Sequence, residues 1–143
     1  MRASETLISK IKEFEGLRLD SYQDYTGVWT IGYGHTKGVK EGQTITVAQA
    51  ELLLKGDLLP FEKSVEGLGL DLTQGQFDAL VDFSYNLGFG KLSASTLLKK
   101  IRAKESDVII QREFKRWVYA GGKILPGLVR RREWEAARWA EKD

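Results

Sequence analysis

Residues 15–35 read EGLRLDSYQDYTGVWTIGYGH, and the organisation of the chain follows from how this stretch differs from its neighbours. Upstream of it, Leu7, Ile8, Ile11 and Phe14 recur at helical spacing, and Gly16 stands where a left-handed residue stops a helix. Glu15 is therefore expected at a helix end. Beyond Gly16 the period changes. Asp24-Tyr25-Thr26-Gly27 has the composition of a turn, Val28-Trp29-Thr30-Ile31 is rich in β-formers, and Gly27, Gly32, Gly34 and Gly38 punctuate the segment. This predicts a small sheet, with Thr30 on the strand face shared by Val28 and Gly32, opposite Trp29, Ile31 and Tyr33.

Further out, helices dominate. Thr46-Val47-Ala48-Gln49 has the form of a capping box that opens a helix through Leu52, Leu53 and Leu54, with a break or kink expected at 56–60 from Gly56 and Pro60. Thr73-Gln74-Gly75-Gln76 is a second capping box, followed by a face of Phe77, Leu80, Val81 and Ser84 and a stop near Gly88-Phe89-Gly90. Ser95 and Ser106 are candidate caps of two more helices, the second with Ile110, Phe114 and Trp117 as its stripe. Gly121-Gly122 forms a turn, and Leu125 to Glu141 reads as a last helix. The fold class is α+β, mainly helical with one small sheet near the N-terminus.

The chain has 143 residues, 42% of them apolar, with four Trp, five Tyr and six Phe, which fits one domain with an ample core and excludes disorder. It has no Cys and one His, so disulfide frameworks, thiolate zinc sites and cysteine nucleophiles are excluded, and a His-based metal cluster is hard to assemble. No apolar run suits a membrane span and the first residues lack a signal-peptide core, so a soluble chain made in the cytoplasm is expected. The formal net charge of +2 hides an asymmetry: residues 1–90 carry 8 basic and 13 acidic side chains, residues 91–143 carry 14 and 7. A basic C-terminal half suits an anionic partner, whether nucleic acid, an acidic surface polymer or the acidic half of the same chain.

Chemistry concentrates in the opening stretch. Glu15 is the better candidate acid, because the negative end of a helix disfavours its anion and Phe14 and Leu17 could desolvate it. Asp24, in a polar Gly-flanked turn, is expected to stay ionised as a base, and the Thr30 hydroxyl could hold a water beside it. The plain alternative is that these are a frayed helix end, a turn residue and a β-branched strand residue.

Taken together, Glu15-Gly16-Leu17-Arg18-Leu19, Tyr22, Asp24 and Thr30-Ile31-Gly32-Tyr33-Gly34-His35 resemble the catalytic signature of phage-type lysozymes, the endolysins that cut bacterial peptidoglycan. Phe83-Ser84-Tyr85-Asn86-Leu87-Gly88, Ser95-Thr96-Leu97-Leu98, Arg116 to Lys123, and Gly127-Leu128 with Arg130-Arg131-Arg132-Glu133 are similar to motifs of the lambdoid-phage branch, in the same order. The resemblance implies one lysozyme domain over 1–143 with a cleft between two lobes: an N-terminal lobe of about 15–55 carrying the sheet, and a helical lobe of about 70–143 joined by the first helix, 4–14.

The same resemblance implies catalytic roles for Glu15, Asp24 and Thr30 in hydrolysing the β-1,4 bond between N-acetylmuramic acid and N-acetylglucosamine, with inversion. It also implies substrate contacts from His35, Tyr33, Asn86, Arg130 and Arg131. His35 is assigned first to structure, paired with Asp57, and either Arg130 or Arg131 is the counterpart of the family arginine that approaches the acid. Arg132 is expected to face Glu135 or solvent. No cofactor, metal or nucleic acid is expected; the partner is peptidoglycan and the chain a monomer, reaching the wall in the periplasm after holin-type release. Unlike many lambdoid relatives, it shows neither a tethering segment nor regulatory cysteines. The competing readings are transglycosylase-like cleavage, which forms an anhydro-sugar without a water-directing Asp, and a silent wall- or nucleic-acid-binding module.

Overall fold

In the computed structural model, which describes residues 1–141, helix α1 (Glu5–Glu15) buries Leu7, Ile8 and Ile11 and ends where Gly16, at φ +72°, donates its N–H to the Lys12 carbonyl. Two antiparallel strands follow, β1 (Arg18–Gln23) and β2 (Trp29–Gly32). Their register pairs Tyr22 with Thr30 and Gln23 with Trp29, but Arg18 with Gly32, so four steps along β1 match two along β2. This bulge has a use. The displaced residues pair on their other side: Ile45 donates to the Leu19 carbonyl and Ser21 to the Gln43 carbonyl, at 2.9 and 2.8 Å.

Helix α2 (Val47–Glu66) opens with the expected capping box, Gln49 N–H to Thr46 Oγ1 at 3.1 Å and Thr46 N–H to Gln49 Oε1 at 2.8 Å. The expected break at 56–60 does not occur. The helix runs through Pro60, which forfeits one backbone hydrogen bond, while Leu54, Leu58 and Val65, all within 1% of full burial, hold it on either side.

Helix α3 (Gln74–Leu87) has both capping-box bonds at Thr73 and Gln76, and buries Phe77, Leu80, Val81 and Ser84 as expected. Gly88 ends it, but a short helix not foreseen from the sequence, α4 (Phe89–Ser93), starts at once. Helices α5 (Thr96–Arg102) and α6 (Asp107–Lys115) are capped by Ser95 and Ser106. Trp117 lies beyond the end of α6, yet its ring packs edge-on against Phe83, with centroids 5.4 Å apart. A two-residue hairpin, β3 (Tyr119–Ala120) and β4 (Lys123–Ile124), turns at Gly121-Gly122, and α7 (Pro126–Ala140) closes the fold. α7 packs on α3 and α6. Among the described residues, no helix is long and apolar enough to cross a membrane.

The chain divides into two compact units, Glu5–Pro60 and Met1–Ser4 with Phe61 onward. The first helix thus groups with the sheet, whereas the sequence placed it with the helical lobe. Lys12 of α1 makes contacts within that unit: its ammonium lies 3.1 Å from Glu51 of α2 and over the Tyr33 ring. In the other unit, α7 is pinned to α3 by Arg131 on Asp82 and Arg138 on Asp78, at 2.8 and 2.9 Å.

Candidate active site

The sheet unit carries Glu15, Asp24, Thr30, Tyr33 and His35. Glu15 is the last residue of α1, as expected, and its carboxylate lies against Gly34: a Cβ at that position would meet Glu15 Oε2 at 3.3 Å. Gly34 is also at φ +88°, so both its backbone and its lack of a side chain are used to bring the main chain up to the acid. The enclosure expected from Phe14 and Leu17 is incomplete. Glu15 is exposed and Leu17 is 38% exposed, because β1 leaves the helix end with its first residues facing solvent.

Asp24 sits in the tight loop between β1 and β2, closed by Asp24 N–H to the Val28 carbonyl and Gly27 N–H to the Asp24 carbonyl, each at 2.9 Å. Three donors converge on one carboxylate oxygen, Oδ1: the Thr26 hydroxyl at 2.6 Å, the Thr26 N–H at 2.8 Å and the Val28 N–H at 3.0 Å. Among the described residues no hydrogen bond is made to Oδ2, though the Gly27 N–H also weakly favours the carboxylate. The Thr26 hydroxyl and then the Val28 N–H hold the Asp24 carboxyl below the ordinary carboxylate range, outweighing slight burial. Asp24 therefore stays ionised into mildly acidic conditions, as the turn predicted.

Thr30, in the middle of β2, is 5% exposed and its Oγ1 donates to the Val28 carbonyl at 3.0 Å. One residue thus secures two side chains: the N–H of Val28 holds Asp24 and its C=O holds Thr30. With its proton committed to that carbonyl, the Thr30 oxygen is left as an acceptor. β2 links the group, since Asp24's loop leads into it, Thr30 lies on it, and the turn after it abuts Glu15.

His35 closes that turn, exchanging both backbone hydrogen bonds with Ile31 at 2.9 Å. Its Nδ1 lies 2.8 Å from Asp57 Oδ2, the partner that the resemblance implied, and its Nε2 lies 2.9 Å from the Lys37 carbonyl. Both ring nitrogens are thereby engaged, which is a scaffold's arrangement. Tyr33 is only 8% exposed, with the Lys12 ammonium 5.7 Å from its ring centroid, so it is a packed residue rather than the open sugar contact expected.

The remaining candidates lie on the helical unit. Asn86 Oδ1 accepts from the Arg132 guanidinium at 2.8 Å, and among the described residues its amide NH₂ has no partner. Arg130 is exposed and, among the described residues, makes no ion pair. Arg131 has a side chain only 6% exposed and grips Asp82 with Nε and Nη2, at 3.0 and 2.8 Å. Arg132 is fully buried against Glu135, at 2.8 Å, and is not a solvent-facing residue. Burial, then the neighbouring Asp82, pushes the Glu135 carboxyl well above its usual range. Burial also opposes Asp82 ionisation, but the hydrogen bond from Glu135 and the Arg131 charge hold that carboxyl below its usual range.

Three contributors escaped the sequence: the Thr26 hydroxyl, the Val28 peptide and the close approach of Gly34. An Asp-x-Thr step inside a Gly-closed turn was the available signal for the first, since short polar side chains bond the backbone two residues on. The peptide of Val28 leaves no residue-type signature.

A family model described as phage lysozyme matches residues 12–135. The chain is 44% identical over 139 residues to an endolysin of Bacillus phage B103, covering 94% of this chain but only 52% of that protein, about half its length. It is 39% identical over 142 residues to an endolysin of Acyrthosiphon pisum secondary endosymbiont phage 1, covering 96% and 97%. In structure it matches the muramidase domain of SpmX from Asticaccaulis excentricus with a TM-score of 0.90 and 35% identity over 99% of both chains. A family match over most of the chain, with the same fold in the muramidase domain, leads to one conclusion: this chain belongs to the phage lysozyme family.

Proposed function

We propose that the chain is a peptidoglycan muramidase, hydrolysing the β-1,4 bond between N-acetylmuramic acid and N-acetylglucosamine with inversion at the anomeric carbon. The observation that carries this reading is the shared anchorage of Asp24 and Thr30 on the Val28 peptide, at 3.0 Å each, with Asp24 Oδ2 open. Glu15 donates its proton to the departing glycosidic oxygen. Asp24 Oδ2 and Thr30 Oγ1 each accept a hydrogen of one water, which turns the water's lone pair toward the anomeric carbon. As the sugar gains oxocarbenium character, the water oxygen bonds to carbon and Asp24 takes the released proton. Inversion requires a gap between the two carboxyls wide enough to admit that water, whereas a direct covalent intermediate needs them closer.

Transglycosylase-like cleavage needs Glu15 but no directed water, so the anchored Asp24 favours hydrolysis over it. The test is lysis of purified cell walls by Glu15→Gln. This substitution keeps the size of the side chain and removes its acid; the expected result is loss of nearly all turnover, at least ~100-fold, with an unchanged melting temperature. Near-normal lysis by the folded variant would refute the assignment.

A further inference from the structure

We infer that Thr26 is a positioning residue for the reaction, whose hydroxyl fixes the Asp24 carboxylate so that Oδ2 is the oxygen presented to water. The inference rests on the hydrolytic reading and adds to it a side chain outside the resemblance. Thr26 grips Asp24 twice through one residue, by N–H at 2.8 Å and Oγ1–H at 2.6 Å, both on Oδ1. With the Val28 N–H, Oδ1 carries three donors and its accepting capacity is filled. Basicity is then left on Oδ2.

The hydroxyl is what breaks the symmetry of the carboxylate. Two backbone N–H groups alone leave Oδ1 with room for water and the carboxylate freer to rotate, whereas the short charge-assisted bond from Thr26 locks its plane. The loop supports Thr26 in turn. Gly27 takes φ +88° and Gln23 Nε2 donates to the Gly27 carbonyl at 3.2 Å, so the residue after Thr26 is held from the strand side. No ion pair reaches Asp24 among the described residues, and Arg18, the cation of the same hairpin, lies over the Tyr22 ring with its guanidinium 4.3 Å from the centroid. The donors of its own loop, Thr26 first, thus set how readily Asp24 ionises.

The experiment compares Thr26→Val, Thr26→Ser and Asp24→Asn in the full chain, measuring kcat, KM, the pH profile of turnover on soluble peptidoglycan fragments, and the melting temperature. Thr26→Val keeps the shape and removes the hydroxyl. It is expected to lower kcat roughly 3- to 10-fold with KM little changed, and to move the acid limb of the profile to higher pH, while Thr26→Ser restores both. A Thr26→Val enzyme with wild-type kcat and acid limb overturns the inference, as does a Thr26→Ser enzyme that loses as much as Thr26→Val. A lowered melting temperature with an unmoved acid limb also overturns it, since that is a purely structural effect. The arms separate the two levels: an active Asp24→Asn enzyme defeats the hydrolytic reading itself. An inactive one beside a wild-type-like Thr26→Val defeats only the role of Thr26.

Discussion

Gly34 shows how single residues govern this site. A side chain there would face two penalties, a left-handed backbone at φ +88° and a contact of 3.3 Å with Glu15 Oε2. Gly34→Ala is expected to cost about 1–2 kcal/mol of stability through the backbone alone. It should also lower turnover more than that loss explains, because the acid itself must shift. Thermal unfolding and kcat measured together check this, and a destabilised variant with full kcat at low temperature would show that Glu15 tolerates the displacement. Much at this scale was legible beforehand. Glu15 at a helix end, Asp24 in a turn and Thr30 on a strand each follow from Gly16, from Asp24-Tyr25-Thr26-Gly27 and from β-branched Val28 to Ile31. The exposure of Glu15 was not legible, because the direction in which β1 leaves Gly16 depends on a bulge that pairs Leu19 and Ser21 with 43–45.

At the scale of elements, caps decide where helices begin. The Thr73–Gln76 box satisfies two otherwise unpaired backbone donors at the start of α3, at 3.1 and 3.0 Å. Thr73→Ala is expected to cost about 1 kcal/mol, a fall in melting temperature of about 3 °C, with wild-type turnover. Capping residues declare helix starts in one position each, so α2, α3, α5, α6 and their caps could be read from sequence. Pro60 could not be read in the same way. Its local preference favours a break, yet buried Leu54, Leu58 and Val65 keep α2 continuous, an instance of tertiary burial overriding propensity. α4 was missed because Gly88 and Gly90 read as punctuation, although Gly88 at φ 100° ends one helix and begins the next.

At the scale of the whole molecule, the basic C-terminal half proves to be partly consumed inside its own unit. Arg131, Arg132 and Arg138 are buried on α7 and meet Asp82, Glu135 and Asp78, two of those acids coming from α3. These acids sat in the sequence among the apolar residues of an amphipathic pattern, and their pairing could not be assigned without the packing of α3 on α7. Glu135 is the group with a pH consequence. Its folded carboxyl titrates above its unfolded value of about 4.3, so between those values the folded chain holds more protons than the unfolded one. That contribution is complete below the unfolded value and is lost as pH rises through the folded value. Asp82 and Asp24 act oppositely: their folded values are lowered, so their contribution is present above the unfolded value and lost as pH falls through the folded one. Glu135→Gln, which donates a hydrogen bond at any pH, is expected to flatten the decline in melting temperature on the alkaline side. A decline as steep as wild type would mean that Glu135 is not the titrating group.

The central claim is that a water directed by Asp24 and Thr30, and not an internal hydroxyl of the sugar, attacks the anomeric carbon. Mass spectrometry of the muropeptides released from purified sacculi tests it most directly. Products ending in a reducing N-acetylmuramic acid, heavier by one water than the anhydro form, are the predicted result; products ending in 1,6-anhydro-N-acetylmuramic acid would contradict the account.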